Sequence, residues 1–329
     1  MLWTIDFNNL LSEVTKNLEV KGDIKMIRTF KGLIEKVKAG EPQKISVAVA
    51  QDKDVLSAVN NAYKMGIANA ILVGDKGKIE EIAKEIDMDT NNFEIIDILD
   101  KAEACKCAVK LVRDGYAALP MKGFTDTSNI LKAVLNAETG LKTGNLISHV
   151  GVLEVSGYDR LFIVSDSAMT IAPTLEDKVD IINSSVRIAH ALGNDEPKVA
   201  VLCAVEKVNP KMPSTLDAAE LTRMNEEGII KGCLVKGPLA IDNAVSLEAA
   251  KHKGIIHPVA GNADVLIAPD LESGNILNKS MEYFARAKKA GVIMGAKTPI
   301  ILTSRASSDI SKLNSIALGV LVTQELGKE

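Results

Sequence analysis

The chain of 329 residues is long for a single hydrophobic core, and two α/β units are the natural expectation at that length. With 47% hydrophobic and 25% charged residues it has the composition of an ordinary soluble globular protein. A formal net charge of −4 and an aromatic content of 3% give no general attraction to nucleic acid or an acidic membrane and few platforms for stacking bases, so neither partner is expected.

The first residues, MLWTIDFNNLLSEVTKN, carry acidic side chains early and lack the basic start and apolar run of a signal peptide. No run of about 18 apolar residues follows anywhere, which argues against a membrane span. Cys105, Cys107, Cys203 and Cys233 are too scattered for a disulfide framework, and the expected compartment is the cytoplasm.

In chain order, a short β-branched run alternates with a helical pattern. ISVAVA (45–50) leads into DVLSAVNNAYKMG, where Val55, Leu56, Val59 and Ala62 fall at helical spacing and Gly66 ends the run. AILVG, KIEEIAKEI, FEIID and KAEACKCAVKLVRDG repeat the unit, which implies a parallel sheet with helices on its faces. LISHVGVLEV and RLFIVSD are strand-like around the turn SGYD, and LEDKVDIINSSVRIAHALG is a long amphipathic helix. PKVAVLCAV, STLDAAELTRMNEEG, IIKGCLV, SLEAAKHKG and DVLIAP continue the alternation, and GVIMG, PIILTS and SDISKLNSIALGVLVTQEL close it. NAETGLKTGN (136–145) is the best candidate for a crossing between units, with KKAGVIMG (288–295) as the return.

Common nucleotide and metal signatures are missing. VGDKGKI (73–79) is neither a dinucleotide fingerprint nor a Walker loop, and His149, His190, His252 and His257 lack metal-ligand spacing. The cysteines read as small packing residues.

Four strand ends are more informative, because each passes abruptly from apolar to polar residues. LPMKGFTDTSNILKAVL (119–135) sets Lys122, Gly123, Thr125, Thr127 and Ser128 before a helix, where hydroxyls, free amides and a lysine suit a phosphate, although a capped helix alone would look the same. VSDSAMTIAPT (164–174) ends a strand in Ser165, Asp166 and Ser167. APDLESGNILNKS (268–280) places Asn275 and Lys279 on one helix face. In LTSRASSDISKLN (302–314) a buried-type run ends in Thr303, Ser304 and Arg305, which requires water or an anion there. Together they suggest a cleft at the carboxyl ends of the strands.

With these segments in view, the chain resembles the phosphate acetyl/butyryltransferase family nearly end to end. The likeness runs through ISVAVAQDKDVLSAV, TGNLISHVGVLEV, SDSAMTIAPTLEDKVDIINSSV, VAGNADVLIAPDLESGNILNK and LTSRASSDISKLNSIAL. MKGFTDTSNILKAVLN, VNPKMPSTLDAAEL and the SRA…KLNSIAL ending favour its butyryl branch. The resemblance implies two α/β/α domains with mainly parallel sheets and a cleft between them, on an isocitrate/isopropylmalate dehydrogenase-like architecture. The first domain would comprise 1–140 with 291–329 and the second 141–290. It further implies a homodimer or higher homo-oligomer, and reversible transfer of a short acyl group between CoA and inorganic phosphate. Acyl-CoA, phosphate and acyl phosphate would be the partners, CoA a substrate, and no prosthetic group or metal would be needed.

Carried onto this sequence, the family pattern makes Arg305 the phosphate clamp, Ser304 a donor to the tetrahedral oxyanion, and Asp309 the base for the CoA thiol. Asp309 follows Arg305 more closely than the corresponding aspartate does in acetyl-type members, and Ser307 stands where a cysteine is common there. Thr127, Ser128 and Lys132 match a substrate-binding segment, with lysine where arginine is frequent. Ser165, Asp166, Asn275 and Lys279 are cleft candidates from the second domain. Three rival readings are an acetyl or other short or branched acyl variant, a dehydrogenase on the related architecture, and a catalytically silent CoA or acyl-phosphate sensor. The dehydrogenase would need a metal-binding set of aspartates and arginines that the sequence does not supply.

Overall fold

Val47, Leu72 and Val201 are buried together with both chain neighbours of each, the pattern of a sheet covered by helices on both faces. The structure, a computed structural model, describes residues 26–327, so the readings of 1–17 and of the first 25 residues of the expected first domain lie outside it. The elements run α1 (Phe30–Lys38), β1 (Gln43–Ala48), α2 (Lys53–Lys64), β2 (Ala68–Gly74), α3 (Lys76–Glu85), β3 (Glu94–Asp97), α4 (Lys101–Arg113), β4 (Leu119–Lys122) and α5 (Thr127–Val134). Then follow β5 (Ser148–Glu154), β6 (Leu161–Ser165), α6 (Leu175–Ala191), β7 (Lys198–Leu202), α7 (Pro213–Glu226), β8 (Leu234–Leu239), α8 (Ile241–Val245), α9 (Leu247–His252), β9 (Val265–Ile267), α10 (Leu271–Tyr283), β10 (Lys288–Met294), β11 (Ile300–Ile301) and α11 (Asp309–Leu326).

Aspartates start several helices. Asp52 accepts the Val55 N–H at 3.0 Å before α2, and Asp100 accepts those of Ala102 and Glu103 at 2.9 Å before α4, satisfying amides that have no partner inside the helix.

The strands form one sheet of eleven in the order β3-β2-β1-β4-β11-β10-β5-β6-β9-β7-β8. Two parallel runs, β3 to β11 and β6 to β8, are joined through three antiparallel pairings, β11 with β10, β10 with β5, and β5 with β6. The mainly parallel α/β fold is therefore present, but the two runs meet edge to edge in a single sheet. The expected return crossing 288–295 is β10 itself, a strand between the two runs. Boundaries moved: IIKGCLV was expected as a strand, whereas β8 begins at Leu234, beyond Gly232 at φ +73°, and of the run PIILTS only Ile300–Ile301 is strand. Pro238 is tolerated inside β8 because that strand is the sheet's edge.

Helix α11 fixes the middle of the molecule. Every residue from Lys312 to Val322 is buried, as expected of a helix enclosed on all sides, and it packs on β10, β11, β4, α1, α2 and α6. Each large apolar side chain buried there, such as Leu313, Ile316 or Leu321, contributes about 1.5–3 kcal/mol. The hydroxyls at its N-terminal end are thus held by a strongly anchored element.

Candidate active site

The polar ends of β4, β6 and β11 and the middle of α10 meet around one cleft of about 440 Å³. Lys122, Thr125 and Thr127 reach it from the first segment, Ser167 from the second, Asn275 and Lys279 from the third, and Ser304 and Arg305 from the fourth. These eight residues, far apart in sequence, share one wall system.

Arg305 is exposed and lies 5.9 Å from the centre of the Phe124 ring, and its Nη2 is paired with Asp126. Asp126 occupies the N-cap position of α5 yet makes no side-chain cap, because its carboxylate goes to the guanidinium instead. Both partners are more than half exposed, and ion pairs of that kind are worth about 1 kcal/mol or less, so a dianion offering two parallel bonds would readily exchange with the carboxylate. Ser304 Oγ accepts the Ala306 N–H at 3.3 Å, which leaves its O–H free to donate.

Lys122 is buried at the end of β4, with Nζ donating to the carbonyls of Gly123 at 3.2 Å and Thr125 at 3.1 Å. Burial first, then the positive charges of Arg305 and Lys312, pull its pKa down to about 8. Gly123 is backbone for this turn: a Cβ there would lie 2.3 Å from the Val49 carbonyl oxygen, so β4 and the end of β1 meet too closely for any side chain. Thr125 is buried and its Oγ1 accepts from Asn129 at 3.0 Å.

Across the cleft, Asn275 Nδ2 donates to the Ser167 carbonyl at 3.0 Å, which ties α10 to the loop after β6. Lys279 and Lys289 share Glu282, at 3.3 and 2.5 Å. Burial pushes Lys289 below its ordinary range, with Glu282 opposing.

Five of the residues expected at the site, besides Gly123, do not line the cleft. Ser128 and Lys132 sit on the exposed face of α5. Ser165 is buried and donates to the His149 carbonyl at 2.9 Å. Asp166 is also buried, its two carboxylate oxygens accepting the N–H groups of Ala168 (2.9 Å), Met169 (3.1 Å) and Thr170 (3.0 Å), which folds the loop back on itself. Asp309 begins α11 behind the N-cap Ser308, with Oδ1 on the Ile310 N–H at 2.8 Å.

Other residues line the cleft that the sequence reading did not place at the site: His149, Asn278, Lys289, Gly291, Ser307, Ser311 and Ser315. Ser311 and Ser315 are four apart, hence on one face of α11, and Ser315 Oγ accepts the Gly291 N–H at 2.9 Å. Ser307 Oγ is buried with no hydrogen-bond partner among the described residues, beside Lys312, whose Nζ bonds to the Ser307 carbonyl. Buried hydroxyls are seldom left unpaired, so this one marks a place for a ligand oxygen or a water. Periodicity offered no signal for His149, inside a strand run, or for Lys289, in the expected return crossing 288–295. Among the described residues no group of three or more His, Cys, Asp or Glu is arranged to hold a metal ion.

Fold and site together define an α/β protein with a cation- and hydroxyl-rich cleft suited to phosphorylated or otherwise anionic substrates. Residues 29–109 and 101–320 match the model of the family described as "Phosphate acetyl/butaryl transferase", and the chain belongs to that family of transferases. It is 51% identical over 297 residues to the phosphate butyryltransferase of Clostridium acetobutylicum, covering 90% of this chain and 99% of that protein. It is 46% identical over 282 residues to the phosphate acetyltransferase of Thermotoga maritima, covering 86% of this chain and 96% of that protein. The crystal structure of a branched-chain phosphotransacylase from Enterococcus faecalis V583 superposes with a TM-score of 0.75 at 33% identity, covering 85% of this chain and 99% of that one.

Proposed function

We propose that this protein catalyses reversible transfer of a short acyl group, butyryl by preference, between CoA and inorganic phosphate. The observation that carries the reading is the convergence of Ser304, Arg305, Lys122 and the unpartnered Ser307 hydroxyl on one cleft in a chain of this family. Phosphate held by the Arg305 guanidinium attacks the thioester carbonyl directly, and holding it in line removes much of the entropic barrier. Negative charge then develops on the former carbonyl oxygen, where the free O–H of Ser304 is a neutral donor that gains strength as the charge grows. Lys279, Lys289 and Asn275 on the opposite wall suit the phosphates of CoA. Asp309, engaged at the start of α11, is not given the proton in this reading.

The same reading takes the two parallel runs as two units, 26–140 with 291–327 and 141–290 among the described residues, joined along β10 and β5. It also includes a homo-oligomer working in the cytoplasm without a prosthetic group. Among the described residues no helix is long and apolar enough to cross a membrane.

Incubating the protein with butyryl-CoA and phosphate, and following free thiol with a chromogenic reagent, tests the activity. The expected outcome is phosphate-dependent thiol release with kcat/KM higher for butyryl-CoA than for acetyl-CoA. A reversed ratio removes the butyryl preference, and no release from any short acyl-CoA removes the reaction.

A further inference from the structure

We propose that His149 carries the proton of this reaction between phosphate and the sulfur of CoA, and that Ser167 holds its ring for the purpose. The proposal rests on the acyl-transfer reading above and adds a catalytic residue to it.

His149 lies in β5 and is only 9% exposed, yet its side chain forms part of the cleft wall. The last residue of β6 and the two that follow it are spent on holding it. Its backbone N–H donates to Asp166 Oδ1 at 3.3 Å, its carbonyl accepts from Ser165 Oγ at 2.9 Å, and its ring Nδ1 meets Ser167 Oγ at 2.9 Å. Ser165 and Asp166 are buried away from the cleft because they position the histidine rather than the substrate.

Nδ1 is the only ring nitrogen with a hydrogen bond among the described residues, and Nε2 is directed at the backbone of Gly291. A Cβ on Gly291 would lie 2.8 Å from Nε2 and 3.3 Å from the Leu302 carbonyl oxygen. The free edge of the imidazole therefore stands against Gly291 in β10, on the side that faces the Leu302 carbonyl two residues before Ser304, in a gap that a side chain at 291 would close. Both Gly291 and Leu302 line the cleft.

The groups that face the ring favour its neutral form. Burial dominates and lowers its pKa, the Asp166 carboxylate opposes, and the ammonium groups of Lys289 and Lys279, with Glu282 between them, lower it further. We assign the tautomer in which Nδ1–H donates to Ser167 Oγ, which leaves the lone pair on Nε2. Protonation at Nε2 gives the imidazolium with Nδ1–H still on Ser167, and loss of that proton from Nε2 restores the same tautomer.

The chemistry needs such a group. In the direction of acyl phosphate, a phosphate oxygen forms a bond to the thioester carbon, the C–S bond breaks, and the thiolate must end as a thiol. Hydrogen phosphate brings the one proton required, which passes from its hydroxyl to Nε2 and from Nε2 to sulfur. In reverse, Nε2 takes the thiol proton as sulfur attacks and returns it to the departing phosphate. No other reactant is consumed, and the imidazole is regenerated in each turnover.

The test is the pH profile of kcat for wild type, His149→Gln, Ser167→Ala and Asp309→Asn, with folding checked by thermal melting. For wild type we expect activity to fall on the acid side with a midpoint below 6.5, where the ring becomes protonated. His149→Gln should lose kcat by about 100-fold or more, keep the phosphate KM within a few-fold, and lose the acid limb. Added imidazole should restore part of the rate to His149→Ala, which a merely structural histidine would not allow. Ser167→Ala should shift the limb, and it decides the matter if the His149 variants fail to fold: an unmoved limb overturns the proposal. A folded His149→Gln that keeps the limb, or a limb lost only in Asp309→Asn, also overturns it. Wild type without thiol release removes the acyl-transfer reading and this inference together, whereas the outcomes above remove the inference alone.

Discussion

Arg305 and Lys122 present the two kinds of cation that an anion site uses, and they respond differently to change. Arg305 is open to solvent and its charge is permanent, so its value lies in geometry: Asp126 takes Nη2 and leaves Nη1 and Nε for a second partner. Arg305→Ala should lower phosphate-dependent kcat/KM by about 10³-fold or more, and Arg305→Lys should recover only a small part because an ammonium lacks the planar fork. Initial rates of thiol release measure both, and near-normal activity in either variant would remove the guanidinium from the mechanism. Lys122 is buried, with a pKa pulled down to about 8, so its charge is variable near neutrality. It attracts an anion below that pH and is neutral above it. If bound phosphate returns the ammonium to its ordinary range, affinity falls by about tenfold per pH unit above 8 until the ordinary value is reached. The same depressed pKa means that the unfolded chain binds more protons than the native one between about 8 and 10.5, so Lys122 makes stability rise with pH across that window. The phosphate KM measured from pH 7 to 9 should therefore climb, and in Lys122→Met that climb should vanish.

At the level of elements, the cleft depends on how closely α10 approaches the loop after β6. Gly274 in α10 leaves room for the Asp166 carbonyl oxygen, which would lie 2.1 Å from a Cβ at that position. Helix propensity alone would make Gly274→Ala stabilising by about 1 kcal/mol. The obstacle is backbone rather than a pliable side-chain end, and overpacking of that kind costs about 1–3 kcal/mol, so the net effect should be destabilising. A lowered denaturant midpoint together with a raised KM for acyl-CoA is expected, because displacing α10 moves Asn275 from the Ser167 carbonyl and Lys279 from the cleft wall. A more stable variant with unchanged KM would show that the contact yields. Elements of this kind were legible where the pattern was local: the spacing of Val55, Leu56 and Val59 gave away α2, and apolar runs ending in Lys122, Ser304 and Arg305 pointed to strand ends that the structure does bring to one cleft. What stayed hidden was non-local. The joining of both parallel runs through β10 and β5 depends on pairing partners more than a hundred residues apart, and β11 contributes only two residues to it. Within a buried strand, alternation does not tell which face borders a cleft, so His149 looked like any strand residue, while Lys289 fell in the expected return crossing 288–295. Asp166 misled in the other direction. An aspartate after a strand resembles a ligand group, but its carboxylate is occupied by the amides of its own loop and of His149.

For the whole molecule, the sign of the field at the cleft opposes the sign of the chain. The net charge is −4, so a distant anion is repelled, while Lys122, Lys279, Lys289 and Arg305 line the cleft against Asp126 alone among its acidic residues. Which field governs substrate capture is decided by distance. At about 0.15 M salt the screening length is about 8 Å, comparable with the width of such a cleft, so the local cations act on a substrate already at the mouth and the net charge acts mainly at low salt and long range. Acyl-CoA, with several negative charges, senses both. If the cleft dominates, kcat/KM for butyryl-CoA falls as potassium chloride is raised from about 20 to 300 mM; if the net charge dominates, it rises. We expect a fall of several-fold, because focusing by a low-dielectric cleft outweighs a diffuse excess of four charges. Replacing Lys279 with glutamine should flatten the dependence by removing one cleft cation without touching the Ser304 and Arg305 pair. A salt dependence that rises, or one that Lys279→Gln leaves unchanged, would place the CoA phosphates away from the wall formed by α10.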